Sequence, residues 1–205
     1  MRVGILGSGL MGGTLGTIFA RAGPEVVFSY ARSSDKLKRL ARDAPGNARG
    51  GTPGEAAKDA NAILLAVHWS RIDDVLKQAG DLAAKVILTC CLPMDVGNTK
   101  LIIGTTTSGA EELAKKVPRA HVVCAFNTVP SEVLFGTFEA KHKNTHPSLV
   151  YCGDDHGSKN VAIKLIQDTG FDPVDAGSLY ELPDTPSHSR CSSENSHMVA
   201  TLARN

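Results

Sequence analysis

No apolar run in this chain approaches the roughly 20 residues that cross a bilayer. Apolar runs such as Ala62 to Val67 and Val86 to Pro93 are far shorter, so no membrane partner is expected. Basic residues are not clustered either: no run exceeds Lys115-Lys116, and 22 Lys+Arg against 21 Asp+Glu leave a formal charge of +1. Phosphate backbones attract a basic excess, so nucleic acid is not an expected partner. GxSxG, HExxH and paired CxxC motifs are missing, which removes the serine-hydrolase, zincin and dithiol-redox readings. His188, Cys191 and His197 lie in a polar stretch without regular zinc spacing, and no metal is expected. The five cysteines are an odd number, and Cys90, Cys91, Cys124 and Cys152 sit inside apolar strand-like runs, which suits thiols in a reducing compartment. The chain passes straight into Val3-Gly4-Ile5-Leu6, with no apolar h-region or small-residue cleavage site. The expected address is cytoplasmic.

What is present is a chain of 205 residues, 42% apolar and 21% charged, values normal for a globular protein. A chain of that length buries roughly 70% of its unfolded surface and needs no disulfide or metal to hold a core. Short, nearly all-apolar runs read as strands at Arg2 to Leu6, Glu25 to Ser29, Ala62 to Val67, Lys85 to Cys90, His121 to Phe126, Leu149 to Gly153 and Asp172 to Asp175. Helical patterns fall between them at Leu10 to Ala22, Ser34 to Asp43, Pro53 to Ala57, Arg71 to Ala79, Gly109 to Lys116 and Ser158 to Thr169. In the first helix Met11, Leu15, Ile18, Phe19 and Ala22 recur at three- and four-residue spacings, and Gly23-Pro24 stops it. The alternation predicts a single α/β domain with a doubly wound, mainly parallel sheet over residues 1–179, followed by a polar tail over residues 180–205.

The first strand runs into Gly7-Ser8-Gly9-Leu10-Met11-Gly12, a GxGxxG between a strand and a helix. In a Rossmann dinucleotide site the first glycine permits the turn, the second lets backbone approach a pyrophosphate, and the third lets helix pack on strand. The helix N-terminus adds unpaired N–H donors and a positive dipole end. The plainer alternative is a glycine-rich turn that binds nothing. The end of the second strand selects the nucleotide. An NAD site places an acid there for the ribose hydroxyls, but the sequence is Ser29-Tyr30-Ala31-Arg32-Ser33-Ser34, with no acid before Asp35. Arg32 offers a planar fork and Ser33 and Ser34 offer hydroxyls to a 2′-phosphate, which points to NADP. Lys36 or Lys38 could add charge. Against this stand an ordinary surface arginine and a simple N-cap at Ser34.

Ligands of open parallel sheets bind beyond the C-terminal strand ends. Four segments are therefore expected to line one crevice: Val67-His68-Trp69, Cys91-Leu92-Pro93-Met94, Phe126-Asn127-Thr128-Val129-Pro130 and Asp175-Ala176-Gly177-Ser178-Leu179. Trp69 is a candidate wall for the nicotinamide, or else ordinary packing. His68 is a candidate acid or base, or else a locally bonded imidazole. Asn127 and Thr128 are candidates to orient the carboxamide or a substrate, or else a strand-end turn. No catalytic residue is assigned, because hydride transfer between rings held face to face needs no protein acid or base.

The chain resembles the coenzyme F₄₂₀-dependent NADP oxidoreductases, small Rossmann proteins related to the N-terminal domain of pyrroline-5-carboxylate reductase. The residues that carry the resemblance are Arg2-Val3-Gly4-Ile5-Leu6-Gly7, Ala66-Val67-His68-Trp69 and Ala125-Phe126-Asn127-Thr128. Two more specific stretches add to them, Cys152-Gly153-Asp154-Asp155 and Gly170-Phe171-Asp172-Pro173-Val174-Asp175-Ala176-Gly177-Ser178-Leu179. It implies hydride transfer between NADP and a deazaflavin or flavin-like co-substrate, with Ser8, Gly9, Leu10, Met11, Arg32 and Trp69 at nucleotide positions. His68 departs from the proline frequent in the family, and Cys90-Cys91-Leu92-Pro93 departs from its deazaflavin loop. The resemblance leaves two outcomes open, an NADP-dependent enzyme or a non-enzymatic NADP(H)-binding redox sensor, and leaves a homodimer open.

Overall fold

Val3, Ile5, Val26, Val27, Ile63 and Leu64 are all 1% exposed or less, because the strands that carry them are covered on both faces. The structure is a computed structural model that describes residues 1–104 and 106–180. The elements run β1 (Arg2–Leu6), α1 (Leu10–Ala22), β2 (Glu25–Ser29), α2 (Ser34–Asp43), β3 (Ala48–Gly50), α3 (Pro53–Lys58) and β4 (Ala62–Leu65). A single 3₁₀ turn at Trp69–Arg71 then leads into α4 (Ile72–Ala79), β5 (Val86–Thr89), α5 (Gly109–Lys116), β6 (His121–Cys124), α6 (Ser131–Glu139), β7 (Ser148–Gly153), α7 (His156–Asp168) and β8 (Asp172–Asp175). The expected polar tail lies, apart from Tyr180, outside the described residues, as do His188, Cys191 and His197. Among the described residues no helix is long and apolar enough to cross a membrane.

The sheet order is β3-β2-β1-β4-β5-β6-β7-β8, so the chain winds outward from β1 on one side and returns to β4 on the other. That reversal opens the crevice of a doubly wound fold beyond the C-terminal ends of β1 and β4. On one face α1, α6 and α7 bury Leu15, Ile18, Phe19, Leu134, Phe138, Leu165 and Ile166; on the other α3, α4 and α5 bury Ala56, Ile72, Val75 and Leu113. Each large side chain of this kind contributes about 2–3 kcal/mol of burial. Along α1, Leu15, Ile18 and Phe19 are buried and Met11 and Ala22 half-buried, and Gly23 ends the helix at φ 121° with its N–H on the Phe19 and Ala20 carbonyls.

Three features differ from the sequence expectation. β3 and α6 were not anticipated: β3 is only three residues long and polar, and α6 reads Ser-Glu-Val-Leu-Phe-Gly-Thr-Phe-Glu, rich in poor helix formers. Burial of Leu134 and Phe138 four residues apart against α1 overrides that propensity. Strands β4, β5 and β6 end one or two residues before the expected bounds, at Leu65, Thr89 and Cys124. The third difference corrects the site. β7 pairs antiparallel to β6, with Cys124 opposite Cys152, and β8 runs parallel to β7. The C-terminal end of β8 therefore points away from the crevice, and Asp175–Leu179 lies at the opposite end of the sheet rather than in the site.

Candidate functional site

The turn from β1 into α1 separates two kinds of glycine. Gly7 stands at φ +109°, and a Cβ there would meet the Ala66 carbonyl at 2.4 Å; a Cβ on Gly12 would meet the Gly7 carbonyl at 1.8 Å. Those two glycines are demanded by the chain's own backbone. Gly9 is not, since a Cβ built on it has nothing within 4 Å. Its φ of −75° suits any residue, and it caps α1 without a side-chain hydrogen bond, in a first turn that holds no acid. Backbone N–H groups and the positive helix end thus face open space. Leu10, 75% exposed, stands over the same turn with half-buried Met11 behind it. Ser8 is turned inward: its hydroxyl donates to the Ser29 carbonyl at 2.8 Å and its N–H to the Tyr30 carbonyl at 3.2 Å, so neither donor is left for a ligand.

Those bonds bring the end of β2 against the glycine turn. Arg32 is exposed there and forms no hydrogen bond or ion pair among the described residues, an uncommitted cation beside the open helix end. Ser33, not Ser34, caps α2, its hydroxyl accepting from the Lys36 N–H at 3.3 Å, which leaves the Ser34 hydroxyl unused. Lys38 reaches Asp35 only at 3.7 Å between exposed side chains, a contact of little energetic weight. Tyr30 holds φ +55° and donates its hydroxyl to the Asp74 carboxylate. Burial and that bond push its pKa up to about 12, while the Tyr30 and Gln78 donors hold the Asp74 carboxyl below its ordinary value.

Across the crevice, Val67 packs beside Gly7, its Cγ1 2.6 Å from where a Cβ would stand. His68 is fully engaged: Nδ1 takes the Ser70 N–H at 3.2 Å and the Ser70 hydroxyl at 2.8 Å, and Nε2 meets the Asp95 carbonyl and Asn98 Oδ1, both at 3.0 Å. Both nitrogens of the imidazole are thus taken up by protein groups. Trp69 is half-buried, its indole 3.3 Å from a Cβ position on Gly109, which Pro93 crowds from another side at 3.1 Å. Its observed role is packing at the cleft wall. Phe126, fully buried, adopts φ +65° and turns the chain so that Asn127 lines a cleft with Cys91, Leu92, Pro93, Ile103 and Gly109, with half-buried Thr128 beside it. A bulky residue in that conformation is costly and marks a constrained site. Burial pushes the Cys91 thiol to about 11, so it is no thiolate nucleophile at neutral pH. Tyr30 and Gly109 had no motif to announce them in sequence; Cys91 and Phe126 were expected at the crevice from their strand-end positions, but the raised thiol pKa and the strained backbone were not.

Residues 2–93 match the family model described as NADP oxidoreductase, coenzyme F₄₂₀-dependent. Over those residues the family resemblance holds. Among solved structures, a hypothetical protein of Sinorhizobium meliloti is 24% identical, with 91% of each chain covered and a TM-score of 0.74. A provisionally assigned F₄₂₀-dependent NADP-reductase of Arthrobacter sp. FB24 has the same TM-score at 21% identity, covering 87% of this chain and 85% of that one. Pyrroline carboxylate reductase of Plasmodium falciparum, solved with NADP bound, is 16% identical with a TM-score of 0.56; 85% of this chain covers 56% of it. At such identities the likeness speaks for the fold alone, and the α/β Rossmann assignment is borne out.

Proposed function

We propose that the protein is a cytoplasmic NADP-dependent oxidoreductase that moves hydride between NADP(H) and a second planar ring, a deazaflavin such as coenzyme F₄₂₀ or a flavin. The observation that carries the reading is the pairing of Gly9, whose missing Cβ leaves open space over an uncapped helix end, with Arg32, a cation that the fold itself does not use. The first-turn N–H groups of α1 suit a diphosphate, and Arg32 with the Ser34 hydroxyl suits a 2′-phosphate. Asn127 and Thr128 stand where a carboxamide could be oriented, and Val67 and Leu10 flank the path between the two ends. Bound NADP(H) supplies the carbon that gives or takes hydride. The chain's own contribution is to hold two rings together and exclude water, since His68 is committed and the Cys91 thiol stays protonated.

Titration calorimetry with NADPH and NADH, followed by an acceptor screen with the deazaflavin, FMN and FAD read by nicotinamide absorbance, tests the proposal. Arg32→Ala should weaken NADPH by about 1.5–3 kcal/mol and leave NADH nearly unchanged. Equal losses for both nucleotides, or no heat with either, would overturn it. Among the described residues the cleft presents no uncommitted acid or base, which fits a second reading equally well, a non-enzymatic NADP(H) sensor. That reading is the one to keep if NADPH binds and no acceptor is ever reduced.

A further inference from the structure

We infer that His68 is a positioning residue for the acceptor side of the crevice: its imidazole fastens the tip of a hairpin, residues 93–102, whose two ends form one wall of the cleft at Asn127. The consequence for turnover rests on the oxidoreductase reading above; the fastening itself does not. The hairpin is defined by the Met94–Leu101 bridge, the Ile102 N–H on the Pro93 carbonyl at 2.8 Å and the Asp95 N–H on the Lys100 carbonyl at 2.9 Å. Its tip is self-organised. The Asp95 carboxylate accepts from the Thr99 N–H at 2.7 Å and the Thr99 hydroxyl at 2.8 Å, and Asn98 closes the turn at φ +54°.

The hairpin is buried only at its first foot, where Pro93 is buried and Met94 half-buried. Val96 is 84% exposed and Ile102 53%, so apolar contact does little to hold the tip against the sheet. Such a segment belongs to the low-stability end of a fold unless polar contacts tie it down. His68 supplies the tie. The Asp95 carbonyl and Asn98 Oδ1 are both acceptors, so the proton sits on Nε2 and is shared between them, while bare Nδ1 takes the Ser70 N–H at the start of the 3₁₀ turn. The imidazole therefore joins the end of β4 to a tip about thirty residues on in the chain, by hydrogen bonds that use both ring nitrogens. The next residue reinforces it: the Trp69 indole meets Gly109 beside Pro93, the hairpin's first foot. Leu92 and Pro93 at one foot and Ile103 at the other line the same cleft as Asn127, so a lifted hairpin widens the space in which a second ring would dock.

The test compares His68→Ala and His68→Gln with the unmodified full chain. In His68→Ala, amide exchange at Asp95 and Ile102 should quicken by about tenfold, as expected for the loss of a net hydrogen bond. Acrylamide quenching of Trp69, the only tryptophan, should rise. For turnover, the acceptor KM should rise by about fivefold while the NADPH KM stays within about twofold. His68→Gln, whose side-chain amide can donate to the same acceptors, should restore most of the exchange protection and of the acceptor KM. Unchanged exchange in His68→Ala overturns the fastening, and a rise in NADPH KM equal to that for the acceptor overturns the positioning role. If the unmodified protein binds no NADPH, the oxidoreductase reading fails, and exchange at the hairpin amides still decides the fastening.

Discussion

Residues 2–128 and residues 148–179 are built from the same strand-helix-strand unit, yet they leave their polar groups in opposite conditions. In the first region the strands are parallel, and their C-terminal ends collect the glycine turn, Arg32, His68 and Asn127 at one end of the sheet. Among the described residues, the α1 N-terminus has no side-chain cap and Arg32 has no hydrogen-bond or ion-pair partner. In the second region β7, α7 and β8 run the other way and close on themselves. The Asp154 carboxylate accepts from the Ser178 hydroxyl and the Leu179 N–H, Asp155 caps α7 through the Ser158 N–H, and Lys159 pairs with Asp175 at 3.0 Å. Polar groups satisfied within the protein tie the second region together, whereas the first region turns its open groups to one end of the sheet. The stretches Cys152 to Asp155 and Gly170 to Leu179, on which the resemblance read in the sequence leaned most, lie outside the residues 2–93 that the family model matches; they fall in the closed region and stitch it together.

The comparison breaks most visibly at the glycines. Gly12→Ala should cost about 3 kcal/mol in denaturant unfolding, since the new methyl group meets the Gly7 carbonyl and backbone must shift. Gly9→Ala, three residues away, should change stability by no more than about 0.5 kcal/mol. The same substitution should weaken NADPH by about tenfold in calorimetry, because the methyl group enters the space over the helix end. If Gly9→Ala unfolds the protein or leaves NADPH affinity intact, the open cradle is misread. In the closed region, Asp154→Ala should cost about 1 kcal/mol in the same unfolding assay and leave NADPH affinity unaltered. A change in affinity there would erase the distinction between the two regions.

The smallest effect concerns Tyr30. Its folded pKa is raised to about 12 from an ordinary value of 10, so the bond's contribution is complete below about pH 10 and is lost as pH climbs toward 12. The stability gap between the unmodified protein and Tyr30→Phe should be flat through neutral pH and close over that alkaline window. A spectrophotometric titration of the phenolates supplies the check, and a gap that widens with alkalinity would contradict the assignment. At the acid end the Asp74 carboxyl, held low, loses its share only as pH falls through its depressed folded value.

Much of the site was legible in sequence because it is local. Gly7, Gly9 and Gly12 sit within one turn, Arg32 follows the second strand closely, and the missing acid is a matter of reading Ser29 to Ser34. Other features were not legible because they depend on partners distant in the chain. Nothing near His68 announces that its ring meets Asp95 and Asn98, and nothing near Ser8 shows that its hydroxyl is spent on Ser29. Asp175 to Leu179 was misplaced because a strand's apolar pattern is the same whichever way it runs.

Periodicity and turn chemistry along the chain were enough to determine a doubly wound α/β sheet, the first βα turn and the lack of an acid at the end of β2. They act over a few residues and are written in side-chain type. Strand direction at β7, the backbone strain at Tyr30 and Phe126, and the commitment of each polar hydrogen were decided only on folding. Those depend on which distant groups compete for the same donor and the same space, and no short stretch of sequence holds that information.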